Sequence, residues 1–230
     1  TMAESLLVAS MVVGGGFADK VVAMTSSHFA SSERQYRFPL GYGGQRTPTA
    51  QWTATAGGAV LLGRRGDVAV TAARVGIPIG SGITDASNMG AAMAPAAADT
   101  ISRYLQDTGT TPQDYDLIAT GDLGLVGSRL CRELMEQKGF PLGDNYTDCG
   151  LLLFDLETQD VHAGGSGCGC SAITMCGELM GKLKSGKLKH ILFCGTGALL
   201  SPTSTQQGLP IPGVCHAVSI ISGRNRLWNI

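Results

Sequence analysis

The chain is poor in charge. Only 15% of its 230 residues are Asp, Glu, Lys or Arg, and the formal net charge is −1. Such a balance gives no electrostatic argument for nucleic acid or for an anionic membrane surface, and nucleic acid is not expected as a partner. No apolar run reaches the roughly 18 residues that a membrane helix needs. Residues 6–17 come nearest, but Ser10 and the run Gly14, Gly15, Gly16 interrupt them. The stretch also lacks a basic leader, so it reads as neither a span nor a signal peptide. Seven cysteines, an odd number scattered through apolar and Gly-rich segments, point to free thiols in a reducing compartment. Cys168 and Cys170 form a C-x-C, yet no second Cys or His pair stands nearby at ligand spacing. Structural zinc needs four such ligands, so no metal is expected.

What remains is apolar and glycine-rich: 43% hydrophobic residues and 33 glycines. That suits one large α/β domain or two tightly packed halves with many close backbone approaches. Residues 2–13 are apolar nearly all round, as in a helix buried on several sides, and the triple glycine stops them. A chain that opens inside a core helix reads as N-terminally truncated. Residues 20–26 read as a buried strand. Residues 52–62 and 67–75 read as an antiparallel pair. A helix is expected with Pro95 in its first turn and Ala98, Ile101 and Leu105 on its apolar face. Next come a strand over 116–120, a helix over 125–138 and a strand over 150–156. A helix over 172–183, with Ile173, Cys176, Met180 and Leu183 on one face, precedes strands over 188–194 and 214–221. Strands alternating with helices make the fold class α/β.

Ligands in such folds gather beyond the carboxyl ends of strands. Three segments occupy such places: Thr25-Ser26-Ser27-His28, Gly121-Asp122-Leu123-Gly124, and the Gly-rich turn from Gly164 to Ala172 that contains Ser166 and Gly167. Backbone N–H groups at a helix start can meet an anion, although tight helix–sheet packing explains the glycines equally well. The polar segment 27–51 carries His28, Arg34, Arg37, Tyr42, Gln45 and Arg46. Guanidinium groups among tyrosines suit a planar anion. A solvated loop with local ion pairs is the competing reading.

Taken in order, the TSSH strand end, GGAVLLG, GDLG and HAGGSGCGCSA followed by HILFCGTGALLSP resemble the thiolase superfamily, which includes the ketoacyl-synthase condensing enzymes. The longer strings SSERQYRFPLGYGGQRTP, GITDASNMGAAMAPAAADT and TGALLSPTSTQQG are similar, more specifically, to the stage V sporulation protein AD family. The resemblance implies a thiolase-like layered αβαβα fold, with residues 1–79 as the remainder of its first half, 80–222 as the second half and 223–230 as a tail.

In the condensing enzymes a nucleophilic Cys precedes the buried helix, and that position lies before Thr1. Their His corresponds to the GDLG turn and their Asn or His to Gly165, Ser166 and Gly167. Losing these partners removes what Claisen chemistry requires. The resemblance therefore implies a non-catalytic protein that binds dipicolinic acid or its calcium chelate. It would act in uptake of that compound into the developing spore. It implies no resident cofactor, with calcium carried on the ligand and Asp122 as a candidate oxygen ligand. The implied partners are membrane proteins of the same operon and a second copy in a homodimer. The implied location is intracellular, in the forespore or spore, peripheral to the inner spore membrane. The implied site comprises His28, Arg34, Arg37, Tyr42, Gln45, Arg46, Asp122, Ser166 and Gly167. Two alternatives stand beside it: an active condensing or thiolytic enzyme acting on acyl thioesters, and a hydrolase using Thr1 as an N-terminal nucleophile.

Overall fold

The structure is a computed structural model that describes residues 1–31 and 46–223. Arg34, Arg37, Tyr42, Gln45 and the tail from Arg224 lie outside the described residues.

Helix α1 (Met2–Gly14) buries Met2, Ala3, Leu6, Leu7, Ala9 and Val13 and ends at the glycine run as expected. Strand β1 (Lys20–Ser27) pairs antiparallel with β3 (Ala56–Gly63), from Lys20 opposite Gly63 to Ser27 opposite Ala56. The short β2 (Trp52–Thr53) lies parallel to β8 (Gly165–Ser166). The main sheet has six strands: β4 (Val68–Arg74), β5 (Ile79–Gly80), β6 (Leu117–Thr120), β7 (Tyr146–Asp148), β9 (His190–Ala198) and β10 (Pro212–Ser222). Its order is β4-β10-β9-β6-β7, with β5 also on β10. Strand β10 is antiparallel to β4, β5 and β9, whereas β6 is parallel to β7 and β9.

The sequence expects 52–62 and 67–75 to pair with each other. They do not. Gly58 lets β3 lie against the helix that begins at Cys168, since a Cβ there would stand 2.7 Å from Ala172 O. The chain then crosses the helix layer through Arg64 and Arg65, and β4 joins β10 instead. The expected boundary at 79/80 thus falls within β5, and β4 already belongs to the same sheet as the second half.

Helices α2 (Met89–Thr108) and α3 (Gly124–Gln137) cover the far face of that sheet. Pro95 lies inside α2, not in its first turn. Asn88 caps the helix earlier by accepting the Ala91 N–H, and Gly109 ends it in the left-handed conformation. Residues 149–153 form the short helix α4 (Cys149–Leu153), not a strand, because Asp148 caps it by accepting the Gly150 N–H. A long helix follows β8 as α5 (Cys168–Thr174), a π turn (Met175–Leu179) and α6 (Met180–Ser185). The buried face is Ala172, Met175, Leu179 and Leu183, one residue off the expected stripe at its first three positions, and Ile173 is exposed. Helix α7 (Pro202–Gln206) closes the loop between β9 and β10.

Two cores result. One joins α1, the long helix, the β1–β3 pair and one face of β9 and β10; the other joins α2 and α3 to the opposite face. The layers therefore run β, α, β, α. The outer face of β1–β3 carries Val22, Met24 and Leu61 in the open, and α1 exposes Val8 and Met11.

Candidate functional site

Beyond the carboxyl ends of β6 and β9, four segments meet around the start of α1. Asp122, just after β6, is their hub. Its Oδ1 accepts the Thr196 hydroxyl of β9 at 2.8 Å. Its Oδ2 accepts the Gly167 N–H at 2.8 Å and the Ser166 hydroxyl at 3.4 Å. Thr196 Oγ1 in turn accepts the Asp122 N–H at 3.0 Å. Burial pushes the Asp122 carboxyl above the ordinary carboxylate range, and the hydrogen bonds from Thr196 and Gly167 oppose that rise. Both of its oxygens are thus engaged by protein donors.

A second carboxylate holds the GDLG turn. Asp148 Oδ2 accepts the Thr120 hydroxyl and the Leu123 N–H, and Oδ1 accepts the N–H groups of Gly124 and Gly150, all at 2.7–2.9 Å. Burial pushes this carboxyl up to about 7 against those bonds. Gly124 has φ +63, and a Cβ there would strike Ala163 O at 2.4 Å. The buried Gln51 completes the frame by donating Nε2 to the carbonyls of Asp122 and Gly165, each at 2.8 Å, while its Oε1 has no hydrogen-bond partner among the described residues.

The β1 end joins the same place. Ser27 Oγ accepts the Gly169 N–H at 2.8 Å and donates to Ala54 O at 2.7 Å. Thr1 Oγ1 lies 2.9 Å from Cys168 Sγ, and Ala3 touches β9 at Gly195. Thr1 directly precedes a helix, whereas an N-terminal nucleophile is expected at the start of a strand.

The structure thus brings Asp122, Ser166 and Gly167 together. The Gly167 amide, expected to face a ligand, donates instead to Asp122. His28 is exposed one residue past Ser27, and its Nδ1 accepts the Ala30 N–H at 3.3 Å. Arg46 is turned elsewhere. Its guanidinium lies 4.4 Å from the centre of the Trp52 ring, and its Nη2 binds Asp160 through the carbonyl at 2.7 Å and the carboxylate at 3.1 Å. Its Nη1 is buried without a hydrogen-bond partner among the described residues. Phe29 stacks on Trp52 at 4.3 Å, and Asp160 also meets His162 Nε2 at 3.0 Å. His162 has φ +49, the one non-glycine residue in that region among the described residues.

Sequence reasoning missed Gln51, Thr120, Asp148 and Thr196. Asp148 had a signal, as an Asp before Cys-Gly is a ready helix cap. Gln51 had none. All seven cysteines are free. Among the described residues no group of three or more His, Cys, Asp or Glu could hold a metal, and no helix is long and apolar enough to cross a membrane. A polar depression of about 370 Å³ on α2, lined by Asp99, Ser102, Arg103, Gln106 and Lys138, shares no residue with this cluster.

Comparison with solved structures places the fold. The chain resembles 3-oxoacyl-[acyl-carrier-protein] synthase III of Aquifex aeolicus VF5 at TM-score 0.57 and 15% identity, covering 96% of this chain and 63% of that one. It resembles the tetronic acid condensing enzyme AbyA1 at TM-score 0.59 and 13% identity, covering 96% and 65%. At such identities the likeness shows the thiolase-like fold alone. The family model described as Stage V sporulation protein AD matches residues 1–221. The Stage V sporulation protein AD of Bacillus subtilis (strain 168) is 48% identical over 219 residues, which are 95% of this chain and 64% of that relative. The chain therefore spans less than two thirds of that relative's length, and it belongs to the stage V sporulation protein AD family.

Proposed function

We propose that the protein is a non-catalytic binding protein for dipicolinic acid or its calcium chelate, acting in uptake of that compound into the developing spore. One observation carries the non-catalytic part. At the turn where the condensing enzymes keep their histidine, this chain has Asp122 with both oxygens engaged by Thr196, Gly167 and Ser166. A group held in this way clamps three segments together and is not free to take a proton from a substrate. The ligand part draws support from Arg46, whose buried Nη1 lacks a partner among the described residues and lies beside the Trp52 and Phe29 rings. A flat aromatic dicarboxylate offers the carboxylate and the ring that such a group takes. Arg34 and Arg37, outside the described residues, are the further candidates for the second carboxylate, with Tyr42, Gln45 and His28 around it. Calcium would enter on the ligand. Its coordination by Asp122 would require exchanging bonds now made to the protein. The partners of this reading are membrane proteins of the same operon and a second copy of the chain, at the inner spore membrane.

The alternative, a condensing or thiolytic enzyme, draws on the likeness to condensing enzymes; its nucleophilic Cys would lie before Thr1, and another base would replace the lost His and Asn. A paired assay separates them. The binding reading expects dipicolinate to raise the melting temperature, and expects no turnover of acyl thioesters. Turnover of acyl thioesters, without stabilisation by dipicolinate, would establish the alternative.

A further inference from the structure

The net charge of −1 conceals a sided distribution. Lys20, Arg64, Arg65, Lys184, Lys187 and Lys189 are all exposed, and the fold gathers them at one end. Lys20 opens β1 opposite Gly63, the last residue of β3, so the Arg64-Arg65 turn stands beside it. Lys184 is in the last turn of α6. The segment after it folds back through Leu188 N–H donating to Lys182 O. The Lys189 carbonyl accepts the Ser222 N–H, and Ser222 pairs with Val68, just beyond the Arg64-Arg65 turn. This end is opposite the Asp122 cluster, which lies past the other ends of β6 and β9.

Phe17 belongs to the same end. It follows α1 and is 83% exposed, more than any other large apolar side chain among the described residues. Its neighbour Gly16 lies against Arg64, with Nη2 3.6 Å from where a Cβ would stand. Acidic groups are present at this end too, so the basic excess is concentrated beside β1 and the Arg64-Arg65 turn. Asp19 pairs with Arg64 at 3.6 Å, Glu178 pairs with Lys182 at 2.6 Å, and Asp116 accepts the N–H groups of Lys189 and His190. Asp67 is exposed nearby. Asp114, just before β6, and the exposed Asp144, just before the parallel β7, stand at the same end, toward the β7 edge of the sheet.

We propose that this end docks on an anionic lipid bilayer, tilted so that the Arg64-Arg65 turn and Phe17 enter first. Lysine and arginine stems reach the headgroups while their charges stay solvated. A bilayer interface accepts a lone aromatic side chain wherever it lands. An acidic protein would match the charge, yet would need a fitted pocket to remove Phe17 from water. Each basic residue near an anionic surface is worth roughly fivefold in partitioning. The inference rests on the membrane location in the function proposed above but concerns a surface separate from the ligand site, so loss of vesicle binding leaves dipicolinate binding standing.

Vesicle flotation of the purified protein tests it, with mixed phosphatidylglycerol–phosphatidylcholine vesicles against pure phosphatidylcholine. Binding is expected to the mixed vesicles only, and to vanish in high salt, where the screening length falls to about 3 Å at 1 M. The double variant R64A/R65A should bind about thirtyfold more weakly. Phe17→Ser should weaken binding at unchanged charge, and Arg103→Ala, on the α2 face, should change nothing. Equal binding to both vesicle types would overturn the proposal, as would full binding by R64A/R65A. Capture by soluble polyglutamate without vesicle binding would also overturn it, and would assign the end to an acidic protein.

Discussion

Asp122 and Asp148 show how single carboxylates set the geometry of the Gly-rich turns. Removing the first by Asp122→Ala leaves the Gly167 N–H and the Thr196 hydroxyl without their acceptor. Stability should fall by about 2–5 kcal/mol, read from the midpoint of denaturant unfolding; an unchanged midpoint would show that the clamp carries no load. Asp148 gives a pH signature. Its carboxyl is pushed up to about 7 by burial, so the folded state holds this proton more tightly than the unfolded chain does. Its protonation therefore favours folding. That contribution is fully present below about pH 4 and is lost as pH rises to about 7, by roughly 4 kcal/mol at most. The stability difference between wild type and Asp148→Asn should slope downward across that window, and a flat difference would contradict the assignment. The glycine spacing made Asp122, Ser166 and Gly167 legible from sequence, because glycine marks where backbone approaches backbone. Thr196 was not legible: it reaches Asp122 across 74 residues, and no local pattern announces such a bond.

The packing of elements turns on glycines that serve opposite ends. Gly90 of α2 and Gly127 of α3 meet where the two helices cross, and a Cβ at Gly90 would stand 2.3 Å from Leu123 O. Gly90→Ala should cost roughly 1–3 kcal/mol or more through overpacking. Gly181, in α6, has open space around the Cβ position. Gly181→Ala should stabilise by about 0.5–1 kcal/mol. Thermal melts of the two variants should move in opposite directions, and a shared direction would refute this account of the crossing. Most helices and strands were legible through apolar periodicity and Gly stops. The misreadings share a cause, since each depended on tertiary contact. Residues 150–153 are apolar enough for a strand but coil under the Asp148 cap. Strand β3 is close enough in sequence to pair with β4 yet is held above the helix layer with β1. The long helix buries Ala172, Met175 and Leu179 in place of Ile173, Cys176 and Met180, the face being set by what packs on it, with Gly58 of β3 against the Ala172 carbonyl.

For the molecule as a whole, the layers leave apolar side chains uncovered. Val22 and Leu61 are direct neighbours across β1 and β3, and Met24 lies on the same face. Exposed apolar surface is unfavourable at roughly 25 cal/mol per Å². The chain should therefore self-associate in sedimentation equilibrium, and Val22→Lys combined with Leu61→Lys should shift it toward monomer. A monomer at every concentration would argue against this face as a contact surface. Fold and family were legible in strings such as AGGSGCGCSA and TGALLSPTSTQQG. The site was legible only in part, because the direction of Arg46 depends on Asp160 and Trp52, which a sequence does not place beside it. Titration calorimetry of the protein with dipicolinate, with and without calcium, tests the central claim most directly. The account predicts saturable binding to one site, weakened by one to two orders of magnitude in Arg46→Ala through loss of a charge-assisted bond worth about 1.5–3 kcal/mol. It predicts only partial recovery in Arg46→Lys, whose ammonium cannot stack on Trp52, hold Asp160 and meet the ligand at once. No binding in either condition would contradict it.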